Sequence, residues 1–204
     1  KTCSVCRTSK DAVLTSTIYR RYGIIFKEEP ELNPWNIEFG SMFHMSNDSY
    51  LFKTYQELLS IGGEFDGTTF TTSEGIVYVP LYEGKMIWFY NHHFATWPTD
   101  TIDRTNAIPS PSIEEWGNPD EMIYPWYWIP LSDVNDSYIK RNANNEIVWE
   151  CKHSWTLGIR KVSNSTNERT CVVCFMPREV GVGESIHFVN PARSTIQAGE
   201  FMSM

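Results

Sequence analysis

No phosphate-binding loop of the form G-x-x-x-x-G-K-[ST] occurs in these 204 residues. The Gly181-Val-Gly183 fragment lacks a third glycine and opens no clear helix, so a nucleotide cradled on a glycine-rich turn is not expected. The sequence also lacks G-x-S-x-G, which would expose a serine nucleophile, and H-E-x-x-H, which would set two zinc ligands on one helical face. No apolar run reaches the roughly 20 residues of a membrane helix. Basic residues are scarce. Seventeen Lys and Arg stand against 25 Asp and Glu, for a net charge of -8. That balance counts against a nucleic-acid partner, because neutralising phosphates takes Lys and Arg. The chain opens on Lys-Thr-Cys without an initiator Met or the charged and apolar regions of a secretory signal. An excised piece of a longer, cytoplasmic protein is expected, with no membrane partner.

The five cysteines give an odd count in a chain large for a disulfide framework, so reduced thiols are expected. Two C-x2-C pairs, Cys3/Cys6 and Cys171/Cys174, have the spacing of zinc ligands, but Cys6 and Cys171 lie 165 positions apart. Residues i and i+3 of a strand point to opposite faces, so Cys171 and Cys174 read as structural thiols. His92 and His93 are adjacent and would face apart on a strand, while His44, His153 and His187 are isolated. No metal site and no catalytic residue is expected. The Glu114-Glu115 pair reads as solvated.

What is present describes a folded chain: 41% apolar residues and eight Trp are enough to build a core and exclude disorder. Charge is unevenly spread. Residues 1–30 carry six basic and three acidic groups, and residues 151–193 again six and three. Residues 31–150 carry five and eighteen. Two basic ends around an acidic middle permit a basic face without requiring one.

Thr8 or Ser9 can cap a helix whose apolar residues include Ala12, Leu14, Ile18 and Tyr22, running into a strand at residues 24–26. Asn47-Asp48-Ser49 offers the N-cap of a helix through Leu59, ended by Gly62-Gly63. From residue 64 the period turns β-like: Phe65, Phe70, Ile76, Tyr78 and Leu81, punctuated by Gly67 and Gly75. Residues 98–123 hold five Pro or Gly and read as a long surface loop. Strands are then expected near residues 125–130, 147–151, 155–162, 170–176 and 186–189. The class is α+β, with N-terminal helices followed by a β-rich domain. A boundary is placed between a helical, linker-like segment, 1–63, and a β-rich unit, 64–204.

Two polar segments stand out against apolar surroundings. In Tyr82-Glu83-Gly84-Lys85, Gly84 would permit an unusual backbone angle and aim Lys85 outward from a turn. Arg160, Lys161, Asn167 and Arg169 surround a Ser/Asn-rich connection that suits phosphate contacts and base-edge readout.

The order of such segments resembles the target-recognition region of large N6-adenine DNA methyltransferases of type II and IIG restriction–modification systems and related phage-defence methylases. The similar blocks are Cys3 with residues 7–12, Asn33-Pro34-Trp35, Met45-Ser-Asn-Asp-Ser49, Pro80-Leu-Tyr-Glu-Gly-Lys-Met-Ile87 leading to His92 and Phe94-Ala-Thr96. Tyr127-Trp128-Ile129-Pro130 follows, then Trp155 with Gly158 and Arg160, Thr166-Asn-Glu-Arg-Thr170, Pro177-Arg178 and Gly183. The chain departs from the family at Trp88, Asn91 and His93, where His, Asp and Arg are usual. The resemblance implies a parent that binds S-adenosylmethionine and methylates adenine after flipping it from the duplex. The catalytic Asn-Pro-Pro-Tyr-type motif and the cofactor segments are absent here, so no cofactor is expected in this piece. It implies double-stranded DNA and the parent's own methyltransferase domain as partners, with Lys85, His92, Arg160, Lys161, Asn167 and Arg169 at the DNA. From another class, a structural module docking the methyltransferase domain or a partner subunit is also compatible, with Trp126-Tyr127-Trp128 as interface anchors.

Overall fold

Helix α1 (Ser9–Tyr22) starts on a reciprocal cap. The Thr8 amide donates to Asp11 Oδ2 at 3.0 Å, and the Asp11 amide donates to Thr8 Oγ1 at 3.2 Å. Two amides that a helix start leaves unbonded are thereby satisfied. Arg20 and Arg21 occupy the last turn, at the negative end of the helix dipole. The computed structural model describes residues 6–22, 33, 37–100, 104, 108–118, 120–164, 166–168 and 171–191. The strand expected at residues 24–26 lies outside them.

The fold is α+β, and its β-rich part is built on two main sheets. The first has the order β1 (Ile37–Gly40), β11 (Ile186–Pro191), β8 (Trp155–Arg160), β9 (Val173–Pro177), with every pair antiparallel. Asn33 fixes the start of β1 by donating to the Ile37 carbonyl at 2.8 Å and accepting its amide at 2.9 Å. The second sheet is organised on β4 (Val77–Tyr82). Strand β5 (Tyr127–Pro130) runs antiparallel along one edge. Tyr78 pairs with both Phe70 and Pro130, and Leu81 with both Gly181 and Tyr127. The other edge is therefore shared by β3 (Phe70–Thr71), which continues to β2 (Glu64–Phe65), and by the parallel β10 (Gly181–Val182). Enclosed on both edges and both faces, residues 78–82 are all buried, which is why this strand reads as a continuous apolar run and not as an alternation. A separate hairpin joins β6 (Ile139–Arg141) to β7 (Ile147–Glu150) through the expected turn at 142–145.

The turn between β10 and β11 carries the chain from one sheet to the other, and a core fills the space beside it. Tyr82, Met86, Ile87, Cys174, Met176, Val182 and Ile186 pack there. A second core gathers Phe43, Phe52, Val79, Leu81, Ile129, Val134 and Tyr138 under α4 (Leu131–Ser137). A third is aromatic: Phe70 and Trp128 meet edge to face with centroids 5.0 Å apart, and both are fully buried. Truncating such rings to Ala costs about 3–5 kcal/mol. Trp128 is thus core and not an interface anchor.

The structure differs from the expected helix through Leu59. Residues 49–51 form a single 3-10 turn, the chain then extends, and α2 (Tyr55–Ser60) begins on a new cap at Thr54. Lys53 causes the break. It exchanges both backbone hydrogen bonds with Trp128, at 3.0 and 2.7 Å, and that requires extended backbone. The Pro-rich stretch also holds more than a loop, since a Ser112–Glu115 capping box starts α3 (Ile113–Trp116). Pairings cross the boundary placed after residue 63: β1 lies in the first sheet and Lys53 bridges to β5. Among the described residues no helix is long and apolar enough to cross a membrane.

Candidate functional site

Strand β4 delivers Glu83 to the edge of the core, where the chain enters a 3-10 turn at Gly84–Met86. Glu83 is only 7% exposed. A carboxylate so placed needs cationic partners, and it has two. Arg104 Nη2 lies 2.5 Å and Lys85 Nζ 3.7 Å from Glu83 Oε2. Each cation also rests on aromatic rings. Lys85 Nζ sits 4.2 Å from the Trp97 ring centre, and the Arg104 guanidinium 5.1 Å from Tyr127 and 6.0 Å from Trp126. Trp97 and Trp126 meet edge to face at 5.0 Å. Burial pulls the Lys85 ammonium below its usual pKa, against the opposing pull of Glu83. Two cations around one carboxylate leave a single positive charge on an aromatic base, which suits a negatively charged partner.

Gly84 does not adopt a left-handed angle, contrary to expectation. It is required by close approach: a Cβ there would stand 2.9 Å from the Ser185 carbonyl oxygen. The Gly84 amide donates to Ser185 Oγ at 2.7 Å. The Ser185 carbonyl in turn accepts the Lys161 amide at 2.9 Å. Segment 82–85 and the start of the second polar segment, at Lys161, therefore meet on one residue. The Lys85 side chain is 41% exposed, and its ammonium lies over the Trp97 ring.

Arg160 is an anchor. Its Nη2 donates to the Ile87 carbonyl, and its guanidinium lies 5.0 Å from the Trp88 ring centre. Burial lowers its pKa, and Nε is buried without a partner among the described residues. From it runs a column of near-parallel rings: Trp88 to Phe94 at 5.1 Å and 23°, then Phe94 to Trp116 at 6.2 Å and 22°. Trp116 Nε1 donates to the His93 carbonyl at 2.9 Å and ties α3 to this segment. A guanidinium held this way has a structural role, bracing the Ile87 carbonyl and the Trp88 ring.

The other expected positions divide. His92 is half-buried, and burial together with neighbouring His93 holds its pKa down to about 4. It is neutral near pH 7 and can hydrogen-bond but not supply charge. Its ring and that of His93 lie 4.1 Å apart, since this segment is not a strand and the pair does not face apart. Lys161 is exposed. Asn167 is half-buried, with its amide donating to the Asn164 carbonyl at 3.1 Å. No hydrogen bond or ion pair among the described residues joins it to Lys85 or Lys161. Arg169 lies outside the described residues. Cys171 is exposed and Cys174 buried, and burial pushes the Cys174 thiol up to about 12. Among the described residues no group of three or more His, Cys, Asp or Glu is placed to hold a metal.

Sequence reasoning missed Arg104, Trp97 and Ser185. For Arg104 a signal existed: it is the sole basic residue between 98 and 123, amid six acidic ones. The fold and this geometry define an α+β module with a half-buried cation–aromatic cluster at the end of its central strand. No protein-family model, curated protein or solved structure matches the chain.

Proposed function

We propose that this chain is the DNA-recognition part of a site-specific adenine-N6 DNA methyltransferase of a restriction–modification system. On this reading methyl transfer from S-adenosylmethionine takes place in a domain of the parent protein that this sequence does not contain. The observation that carries the reading is the meeting, at Ser185, of the 82–85 turn with the Arg160-Lys161 start of the second polar segment. Lys85 and Lys161 belong to those two segments. Lys85 sits in a cluster with one uncompensated positive charge, in a chain otherwise strongly acidic. Local positive charge over aromatic rings is what backbone phosphates and splayed bases both select.

Fluorescence anisotropy with a duplex of about two helical turns, over a salt series, tests this. The wild-type chain binds, and the Lys85→Ala/Lys161→Ala double variant binds more weakly. Its plot of log K against log salt flattens by about 0.9 for each phosphate the variant no longer neutralises. Unchanged affinity and slope in the double variant would exclude these residues from the interface.

A second reading, a module that docks the parent's methyltransferase domain, is favoured by α1. Val13 and Leu14 are 66% and 60% exposed, with Ile18 and Tyr19 also open on a helix long enough to anchor an interface. Capture of the catalytic half by the wild-type chain, abolished in Leu14→Asp/Ile18→Asp while DNA binding persists, would assign α1 to docking.

A further inference from the structure

We propose that a polar cavity at the opposite end of the first sheet is an oxyanion site that takes a phosphate group. The cavity has a volume of about 360 Å³ and is lined by Lys152, His153, Ser154, Pro177, Arg178 and Glu179. Trp155 pairs with Pro177 at the end of the β8–β9 ladder. The Arg178 amide then donates to the Ser154 carbonyl at 3.1 Å, one step beyond it. Residues 152–154 and 177–179 are thus held face to face by the sheet itself, and the cavity between them is part of the rigid frame.

The basic groups are held by aromatic rings. The Arg178 guanidinium lies 5.2 Å from the ring centre of Tyr138, itself fully buried. Arg178 Nε is buried and has no partner among the described residues. The His153 ring stacks on Trp155 at 4.6 Å and 19°. Neither Lys152 nor Arg178 has an ion-pair partner among the described residues. The lining holds these two positive charges and one carboxylate, Glu179, so the cavity keeps a net positive charge without counting His153. Arg178, Lys152 and Ser154 line one space, and a guanidinium fork, an ammonium and a hydroxyl are the donors that the several acceptor oxygens of a tetrahedral phosphate take. The volume leaves room for the group the phosphate is esterified to.

This site does not rest on the DNA reading. The length of β8 separates it from Lys161 by about 20 Å. The phosphate could belong to a small ester or to a nucleic-acid backbone, and the test separates these sources. The full 204-residue chain, labelled with 15N, is titrated with inorganic phosphate at constant ionic strength. Amide shifts confined to residues 152–154 and 177–179 and saturating in the millimolar range are expected. Lys152→Gln, at an exposed position that leaves the fold intact, weakens binding about fivefold or more, and Arg178→Gln abolishes it. A wild-type chain whose cavity amides do not respond overturns the proposal. So does a Lys152→Gln variant that binds phosphate as the wild type does.

Duplex DNA is the second probe. If it shifts the same amides, and Lys152→Gln flattens the salt slope by about 0.9, the phosphate is a backbone one. If inorganic phosphate saturates the cavity while DNA binds nowhere, the site stands with a small phosphate ester as ligand, and the DNA reading fails. If DNA binding depends on Lys85 and Lys161 but the cavity ignores both probes, the anion site fails and the DNA reading survives.

Discussion

Replacing Gly84 by Ala tests whether the junction at Ser185 is as tight as its geometry indicates. The added Cβ would stand 2.9 Å from the Ser185 carbonyl oxygen and 3.3 Å from its Cβ and Oγ. Ordinary contact begins near 3.4 Å, so the turn must retreat by about half an ångström, and its nearest atom is backbone that no rotamer can move. That carbonyl holds the Lys161 amide at 2.9 Å, while Ser185 Oγ holds the buried Gly84 amide at 2.7 Å. Retreat lengthens one or both bonds. Overpacking costs about 1–3 kcal/mol, and a buried amide deprived of its acceptor costs about as much again at worst. Against this, removing a glycine from the unfolded chain contributes about 0.4–1 kcal/mol of stability. The net expectation is a loss of about 2 kcal/mol, read from urea unfolding followed by tryptophan fluorescence. Ser185→Ala removes the same hydrogen bond, so the double variant loses less than the sum of the singles, by about 1 kcal/mol. Gly117→Ala serves as the control, since its Cβ would meet nothing closer than 3.4 Å, and it is expected to be neutral or mildly stabilising. If Gly84→Ala behaves like Gly117→Ala, or if the two singles simply add, the junction is not what holds these segments together.

Two further outcomes concern the same site. Glu83→Ala strips Arg104 and Lys85 of their carboxylate. Breaking a fully buried pair costs about 3–5 kcal/mol, but both cations are about a third exposed or more, so a loss of about 2 kcal/mol is expected; a urea midpoint within error of wild type would refute the pairing. His92, held to about 4 against an ordinary 6.5, binds its proton less readily folded than unfolded. Its contribution to stability is therefore complete above about pH 6.5 and is lost as the pH falls towards 4, where the unfolded chain gains the proton first. Urea midpoints taken at about pH 7 and about pH 5 should fall less for His92→Gln than for the wild type, and equal falls would show that His92 is not the group responsible.

The α+β class, the strands near residues 127, 147, 155 and 186, the turn at 142–145 and the cap of α1 were legible in the sequence. Each depends on hydrogen bonds or periodicity within a few residues, and those forces act whatever the rest of the chain does. Half of the candidate site was legible too, since segments 82–85 and 160–161 stood out by their polarity. Their chemistry was not. Nothing local told that Lys85 would cover Trp97 or that Arg160 would anchor a ring column. Arg104 reaches Glu83 from 21 residues away, and Lys53 breaks an expected helix because Trp128 claims its backbone. Partners so distant along the chain carry no local signal. What a charged side chain does is set by the dielectric and the partners that surround it, and only the alignment of strands brought those partners to it.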